Sequence, residues 1–388
     1  MYKILILLWV FIALSLSLKA QDPQFTQFNA QPILYNPAYA GATRNCRIIN
    51  QYRQQWLNIP STIDHSGQFD TYATSVDFFN LRRHFGFGLI FTNDNAGSLG
   101  IQSNLIGLAI SNEQRLGKNL VARLGLQGTY MQRNLMNAAL VFEDQLDING
   151  GVGTSREGLG MSNQVSDWDI SAGLLLSSTY WFVGFSNQNT RRPNLSLFDQ
   201  DGESSRIPTR YNVELGASLP IFRRDQRSDE MDLGVFKMQL LYRKQGGNEQ
   251  VDIGAFLNLN VNKSNVFKSG LYYRGLKNAD ALAPYVGWQS TDLPWIDLDL
   301  GVSYDWTISS LGNTGGTYEL VLRMSCKGRK DKAYDRLITS GCNPNLAKDI
   351  MENYWWDGYR SSENTEQKQK YKKNITKKRK DFMIMQTY

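Results

Sequence analysis

Between Ile296 and Trp306 the chain changes character at every step. Ile296, Leu298, Leu300, Val302, Tyr304 and Trp306 alternate with Asp297, Asp299, Gly301, Ser303 and Asp305. Successive side chains of an extended chain point to opposite faces, so this segment has one apolar and one polar face. Eleven such residues match the length of one tilted strand across a bilayer core. The contrast returns from Asp232 to Arg243, where Gly234, Phe236, Met238, Leu240 and Tyr242 oppose Lys237, Gln239 and Arg243. It recurs from Leu120 to Tyr130 and from Val251 to Asn260. Several of the apolar faces carry Tyr or Trp near one end, as an interfacial girdle requires.

The pattern predicts about fourteen strands, starting near residues 43, 66, 84, 103, 119, 166, 180, 209, 232, 250, 266, 280, 297 and 316. Taken alternately, the connections fall into two classes. One set is mostly short (80–83, 114–118, 178–179, 261–265, 290–296), with 220–231 as its exception. The other holds 55–65, 94–102, 132–165, 187–208, 244–249, 274–279 and 307–315, including the two longest. A soluble sandwich alternates too, but long strands with short turns on one side and long loops on the other mark an outer-membrane barrel. The expected fold is therefore all-β, a transmembrane antiparallel β-barrel of about 14 strands. Both termini would lie on the short-turn, periplasmic side. Loop 132–165 would lie outside the cell, and loops of that length are either functional or disordered.

Residues 1–20 read as a cleaved signal peptide, with Lys3, an apolar run from Ile4 to Leu18, and Lys19-Ala20 before Gln21. No Cys sits at the cut to suggest a lipoprotein, and beyond it no apolar run approaches 18 residues, so no transmembrane helix is expected. Residues 21–42 are neither helix nor strand by pattern. Pro23, Pro32 and Pro37 each lack a backbone donor, and Asn36-Pro37 and Ala40-Gly41 are turn signals. Phe25, Phe28, Tyr35 and Tyr39 stand among Gln and Asn, so the segment needs a wall to pack on and polar groups to meet. We expect it inside or beneath the barrel of residues 43–325, as a plug or brace with Asn36 among its polar contacts. Asp297, Asp299, Glu319 and Arg323 would face it from the lumen, with Glu319 and Arg323, four apart on one strand face, as a candidate pair.

The same stretch carries a resemblance. Gln21, Asp22, Pro23, Phe25 and Gln27 are followed by Pro32, Asn36, Pro37, Ala38, Ala40 and Gly41, then by Arg47, Tyr52, Arg53 and Trp56. Far downstream stand Ser303-Tyr304-Asp305 and the run Gly315 to Arg323. Together they resemble the PorP/SprF family of Bacteroidetes, over roughly residues 21 to 325. Thr26 and Phe28 depart from it, standing where Ser and Tyr are expected. The resemblance implies an outer-membrane protein of a Gram-negative cell, non-enzymatic, serving type IX secretion and gliding motility at the cell surface. It implies partners too: outer-membrane lipid, lipoproteins of the periplasmic ring, and an exported adhesin or cargo C-terminal domain.

Composition separates the tail from this body. Residues 326–388 hold 15 Lys and Arg against 8 Asp and Glu, whereas residues 21–325 carry a net charge of −3. After Met324 alternation stops, and Asn343-Pro344 opens a short amphipathic helical pattern through Leu346, Ile350 and Tyr354 that ends near Gly358. Tyr354, Trp355 and Trp356, with the basic Lys372, Lys373, Lys377, Lys378, Arg379 and Lys380, are candidate docking residues for an acidic periplasmic partner or lipid headgroups. The other reading is a solvated basic end. Nucleic acid is set aside because an exported protein meets little of it. Three cysteines are too few for a disulfide-rich scaffold. Cys326 and Cys342 flank a 15-residue insert and are either bridged or two unrelated thiols.

No catalytic constellation is found. His65 and His84 are the only histidines and fit no metal-ligand spacing, and neither a nucleophile elbow nor a phosphate-binding loop occurs. The pairs Asp167/Asp169 and Asp297/Asp299 can serve acid–base work or bind Ca²⁺, but such pairs are more often solvated lumen residues and are read as such. No enzyme activity, metal or cofactor is expected. The reading is an anchoring and docking barrel, with a passive channel or apolar-solute transporter as the alternative.

Overall fold

The protein is described by a computed structural model over residues 24–43, 45–56, 69–80, 83–97, 100–116, 120–135, 162–178, 180–197, 205–220, 234–262, 264–275, 281–308 and 315–326. Fourteen antiparallel strands close into one barrel. They are β1 (Arg47–Gln55), β2 (Phe69–Asn80), β3 (Phe85–Ala96), β4 (Ile101–Arg115), β5 (Val121–Leu135), β6 (Gln164–Ser177) and β7 (Trp181–Gln188). There follow β8 (Arg210–Pro220), β9 (Gly234–Gln245), β10 (Asn248–Asn260), β11 (Asn265–Gly275), β12 (Ala281–Ser290), β13 (Ile296–Thr307) and β14 (Thr317–Cys326). Each pairs with its neighbours in sequence. The seam between β1 and β14 runs from Arg47↔Ser325 to Gln55↔Thr317. The sheet closes on itself through this seam, as a strand structure in lipid requires.

The two faces are inverted relative to a soluble protein. On β13, Asp297, Asp299, Ser303 and Asp305 are buried toward the axis, while Leu300, Val302, Tyr304 and Trp306 are exposed outward. On β5, Arg123, Gln127 and Thr129 point in and Leu124, Leu126 and Tyr130 point out. The outer surface carries aromatic residues toward both rims. Phe78, Tyr180, Trp181 and Trp288 lie toward the short-turn end, and Tyr72, Trp168, Tyr211, Tyr304 and Trp306 toward the long-loop end. An apolar outer band with aromatic rims is the surface a bilayer demands.

The lumen is filled by the chain's own start. Residues 25–28, 30–36 and 38–43 include Phe25, Phe28, Ile33, Tyr35, Asn36, Tyr39 and Ala40, all buried. Gln24 stands beside Arg243 and the β9–β10 hairpin at the long-loop end. Gly41 meets Asp77 at the opposite end, just before β1 begins. The segment thus runs the height of the barrel. The expectation of a chain start on the short-turn side holds for β1 but not for Gln24, because the preceding residues fold back through the lumen to bury their rings. Loop 136–161 and residues 327–388, with the helix expected there, lie outside the described residues.

Candidate functional site

Local geometry explains why the lumen segment adds no strand to the wall. Pro32 opens a single helical turn, α1 (Pro32–Tyr35), where its missing N–H costs nothing. Asn36 then caps a 3-10 turn over Pro37–Tyr39, its Oδ1 accepting from the Ala38 N–H at 3.0 Å. Gly41 follows at φ +63°, and a Cβ there would stand 2.6 Å from the Phe78 carbonyl oxygen, so both backbone shape and space call for glycine.

A charged clamp holds the first part. The Glu319 carboxylate accepts from the backbone N–H groups of Thr26 at 2.5 Å and Gln27 at 2.9 Å, from Gln51 at 3.3 Å, and from Arg53. Thr26 donates its hydroxyl to Asp305 at 2.5 Å, and Gln27 donates to Ser303 Oγ at 3.0 Å. Arg53 also lies 3.2 Å from Asp305. Above these, Arg243 and Arg274 share Asp252, and Arg243 donates to Gln24 at 3.3 Å. The expected Glu319–Arg323 pair is not what forms. Four residues along a strand separate side chains by about 13 Å, so each finds a partner on another element. Glu319 takes Arg53 across the seam, and Arg323 takes Asp299 at 2.8 Å, where Lys268 also binds. Asp297 is buried on the same inner face as Asp299.

Further along, the wall reads the peptide backbone. Gln188 donates to the Leu34 carbonyl at 2.9 Å, and Ser186 and Asn212 donate to the Tyr35 carbonyl at 2.5 and 2.8 Å. Asn36 returns the contact by donating to the Leu174 carbonyl at 3.2 Å. Ser111 and Arg123 close on the Ala40 carbonyl, and Gly41 donates to Asp77, which is also held by Arg47 at 2.9 Å. Rings fill the spaces between. Phe28 meets Tyr272 edge-on at 5.9 Å, and Tyr39 meets Phe182 at 6.3 Å. The Tyr39 hydroxyl and the Glu214 side chain, both buried, share a hydrogen bond.

A sequence profile described as type IX secretion system membrane protein PorP/SprF matches residues 17–324. The chain belongs to this family. No curated protein matches it significantly. Among solved structures, the CymD monoaromatic hydrocarbon channel is 13% identical with a TM-score of 0.45, covering 76% of this chain and 92% of its own. The Pseudomonas putida toluene transporter TodX is 9% identical with a TM-score of 0.43, covering 79% and 98%. A Pseudomonas aeruginosa FadL homologue is 12% identical with a TM-score of 0.42, covering 75% and 92%. Scores this low carry no weight for function.

In this PorP/SprF barrel the two sequence motifs that lie far apart in the chain meet across the seam. Arg53 of the first pairs in register with Glu319 of the second, and the Trp56 N–H donates to the Gly316 carbonyl at 2.8 Å. The disulfide is also at the seam. Cys326 bonds Cys46 and not Cys342, because strand pairing brings Cys46 to within 5.2 Å of Cys326 between α-carbons. A local insert was the visible signal in the sequence, and a partner 280 residues away was not. Cys342 and the docking candidates Tyr354, Trp355, Trp356, Lys372, Lys373, Lys377, Lys378, Arg379 and Lys380 lie outside the described residues. Among the described residues no group of three His, Cys, Asp or Glu side chains is placed to hold a metal ion. Three inward glycines, Gly86, Gly125 and Gly173, were missed as contact sites for the lumen segment. Their signal was glycine within a strand, which marks close backbone approach.

Proposed function

We propose that this barrel is a non-enzymatic anchoring and docking component of the type IX system, with its lumen closed by residues 21–42. Residues 1–20 are removed on export. The long loops face outward and hold an exported adhesin or the C-terminal domain of another cargo, and residues 327–388 reach periplasmic machinery through their basic and aromatic side chains. The observation that carries this reading is the lumen segment, bonded from rim to rim by the wall. The packing of its rings and the hydrogen bonds to its backbone favour a closed scaffold over an open pore.

The test is a mild-detergent pull-down of the tagged protein from its native membrane, with and without residues 327–388. Cutting after Cys326 spares the disulfide. Secretion-system lipoproteins and a surface adhesin are expected to co-purify, and truncation should remove only the periplasmic set. A barrel that emerges alone and conducts ions freely would favour the channel.

A further inference from the structure

The outer wall carries two amides on one strand. On β1 the side chains of Arg47, Ile49, Gln51 and Arg53 are buried inward, so Ile48, Asn50, Tyr52 and Gln54 face outward. Both amides have their oxygens occupied. Asn50 Oδ1 accepts from the Tyr72 hydroxyl at 2.8 Å and from the Thr74 hydroxyl at 2.9 Å, and Gln54 Oε1 accepts from the Tyr318 hydroxyl. The nitrogen of Asn50 is different. Its Nδ2 has no hydrogen-bond partner among the described residues, and it is open to the outer surface of the half-buried side chain.

Depth decides what that donor can meet. Asn50 pairs in register with Thr74 of β2, and Gln54 with Asp70. Thr74 stands four residues from Asp70 at the long-loop rim and four from Phe78 toward the short-turn rim. Four residues span about 13 Å of strand, or about 10 Å of depth at a tilt near 40°. The Asn50–Thr74 pair therefore lies near the middle of the lipid-facing band, with Val76 and Leu320 exposed beside it. Gln54 and Asp70 reach headgroups and water. At the depth of Asn50 a bilayer offers neither, and an amide donor facing hydrocarbon is costly. Neighbouring strands place Leu89, Leu108 and Leu126 on their outer faces. Tyr72 even turns its hydroxyl back from the rim to reach Asn50, so the wall supplies partners for the oxygen and none for the nitrogen.

We propose that this face of β1 and β2 joins a second copy of the chain within the membrane, Asn50 Nδ2 of each copy donating to the Thr74 hydroxyl oxygen of the other. The pair is self-complementary, as a two-fold contact requires. The Thr74 hydroxyl gives its proton to Asn50 Oδ1 and keeps lone pairs with which to accept. Two copies inserted in the same sense hold this pair at the same depth, so an axis along the membrane normal brings each donor to an acceptor. Lipid tails have no acceptor to offer. The outward row Leu322, Asn50, Thr74, Phe91 carries no charge that would repel a copy. Ile48 and Val76, next to the pair, are compact enough for two walls to approach closely. The contact uses neither lumen nor loops, so it is independent of the docking role proposed above.

The test uses the full-length protein. A photo-crosslinking residue at Val76 is irradiated in native outer membranes, and the adduct should have twice the mass of the chain and map to β1 and β2 of a second copy. Donor- and acceptor-labelled protein in phosphatidylcholine vesicles then reports self-association by energy transfer as added lipid dilutes it. Asn50→Leu and Thr74→Val should each weaken association about tenfold, because each removes both symmetric bonds. Gln54→Leu, at the rim, should leave it unchanged. Heat-modifiable migration shows that each barrel is intact, and an amide with a structural role alone would alter that migration and not the dilution curve. Thr74→Val carries the comparison if Asn50→Leu fails to fold. Unchanged association in the intact variants would overturn the proposal. So would an adduct with a different membrane protein and none between copies.

Discussion

Asn36 packs where Gly173 leaves room for it. A Cβ at Gly173 would stand 2.0 Å from Asn36 Oδ1, and the same holds along the segment. At Gly125 a Cβ would lie 2.3 Å from the Ala38 nitrogen, and at Gly86 it would lie 1.9 Å from the Ala40 carbonyl oxygen. At the last two positions the obstacle is backbone, which cannot swing aside. Gly86→Ala and Gly125→Ala should therefore cost about 1–3 kcal/mol and loosen residues 36–41 from the wall. Gly128 has nothing within 4 Å, and Gly128→Ala should behave as wild type. Thermal unfolding in detergent, with planar-bilayer conductance as the second readout, checks the set.

What could be read in advance followed from solvent on two sides. Lipid outside and a polar lumen inside impose alternation, so Ile296–Trp306 showed its faces directly, and each expected strand start lies within four residues of the one observed. Phe25, Tyr35 and Tyr39 announced a need for burial because rings between prolines have no strand face to join. Partnerships across the seam were out of reach, since alternation says which way Glu319 points but not that Arg53 comes to meet it. The direction of the lumen segment was hidden for the same reason. It depends on Asp305, Ser303 and Glu319 binding Thr26 and Gln27, and not on any periodicity within residues 24–43.

The seam disulfide makes a covalent ring of the barrel at the end where β1 begins and β14 finishes. Removing a bridge that closes so long a loop costs about 5–6 kcal/mol in the chain-entropy account. Cys46→Ser and Cys326→Ser should each lower stability by up to that amount and add one free thiol. Cys342→Ser should leave the bridge in place. Non-reducing electrophoresis with maleimide mass-tagging distinguishes these outcomes, and a bridge lost on Cys342→Ser would contradict the assignment.

Glu319 binds Arg53 and two backbone N–H groups with almost no exposure. Glu319→Ala leaves Arg53 with Asp305 as its remaining carboxylate and strands both backbone donors in the lumen, for a cost of about 3 kcal/mol. Glu319→Gln keeps the shape and one acceptor, so it should cost less. Because the clamp holds Thr26 and Gln27, both variants should expose the segment's first residues to protease while the strands survive. Limited proteolysis followed by N-terminal mapping reads this, with cleavage before residue 30 expected first in Glu319→Ala.

Gln24 and the short turns lie at opposite ends of the barrel, which gives the proposed orientation a direct check. With Cys342→Ser as background, Gln24→Cys should react with a membrane-impermeant maleimide added to intact cells, since Gln24 is partly exposed beside the long-loop rim. Asn262→Cys, in the exposed β10–β11 turn, should react only after the outer membrane is permeabilised. The reverse pattern would turn the barrel over, place the long loops in the periplasm, and remove the basis for a docking site at the cell surface. Labelling at neither position in intact cells, with Gln24→Cys reactive once the protein is extracted, would mean that other chains cover the long-loop mouth. Its appearance after dissociation of co-purified partners would then identify the rim itself as the contact surface.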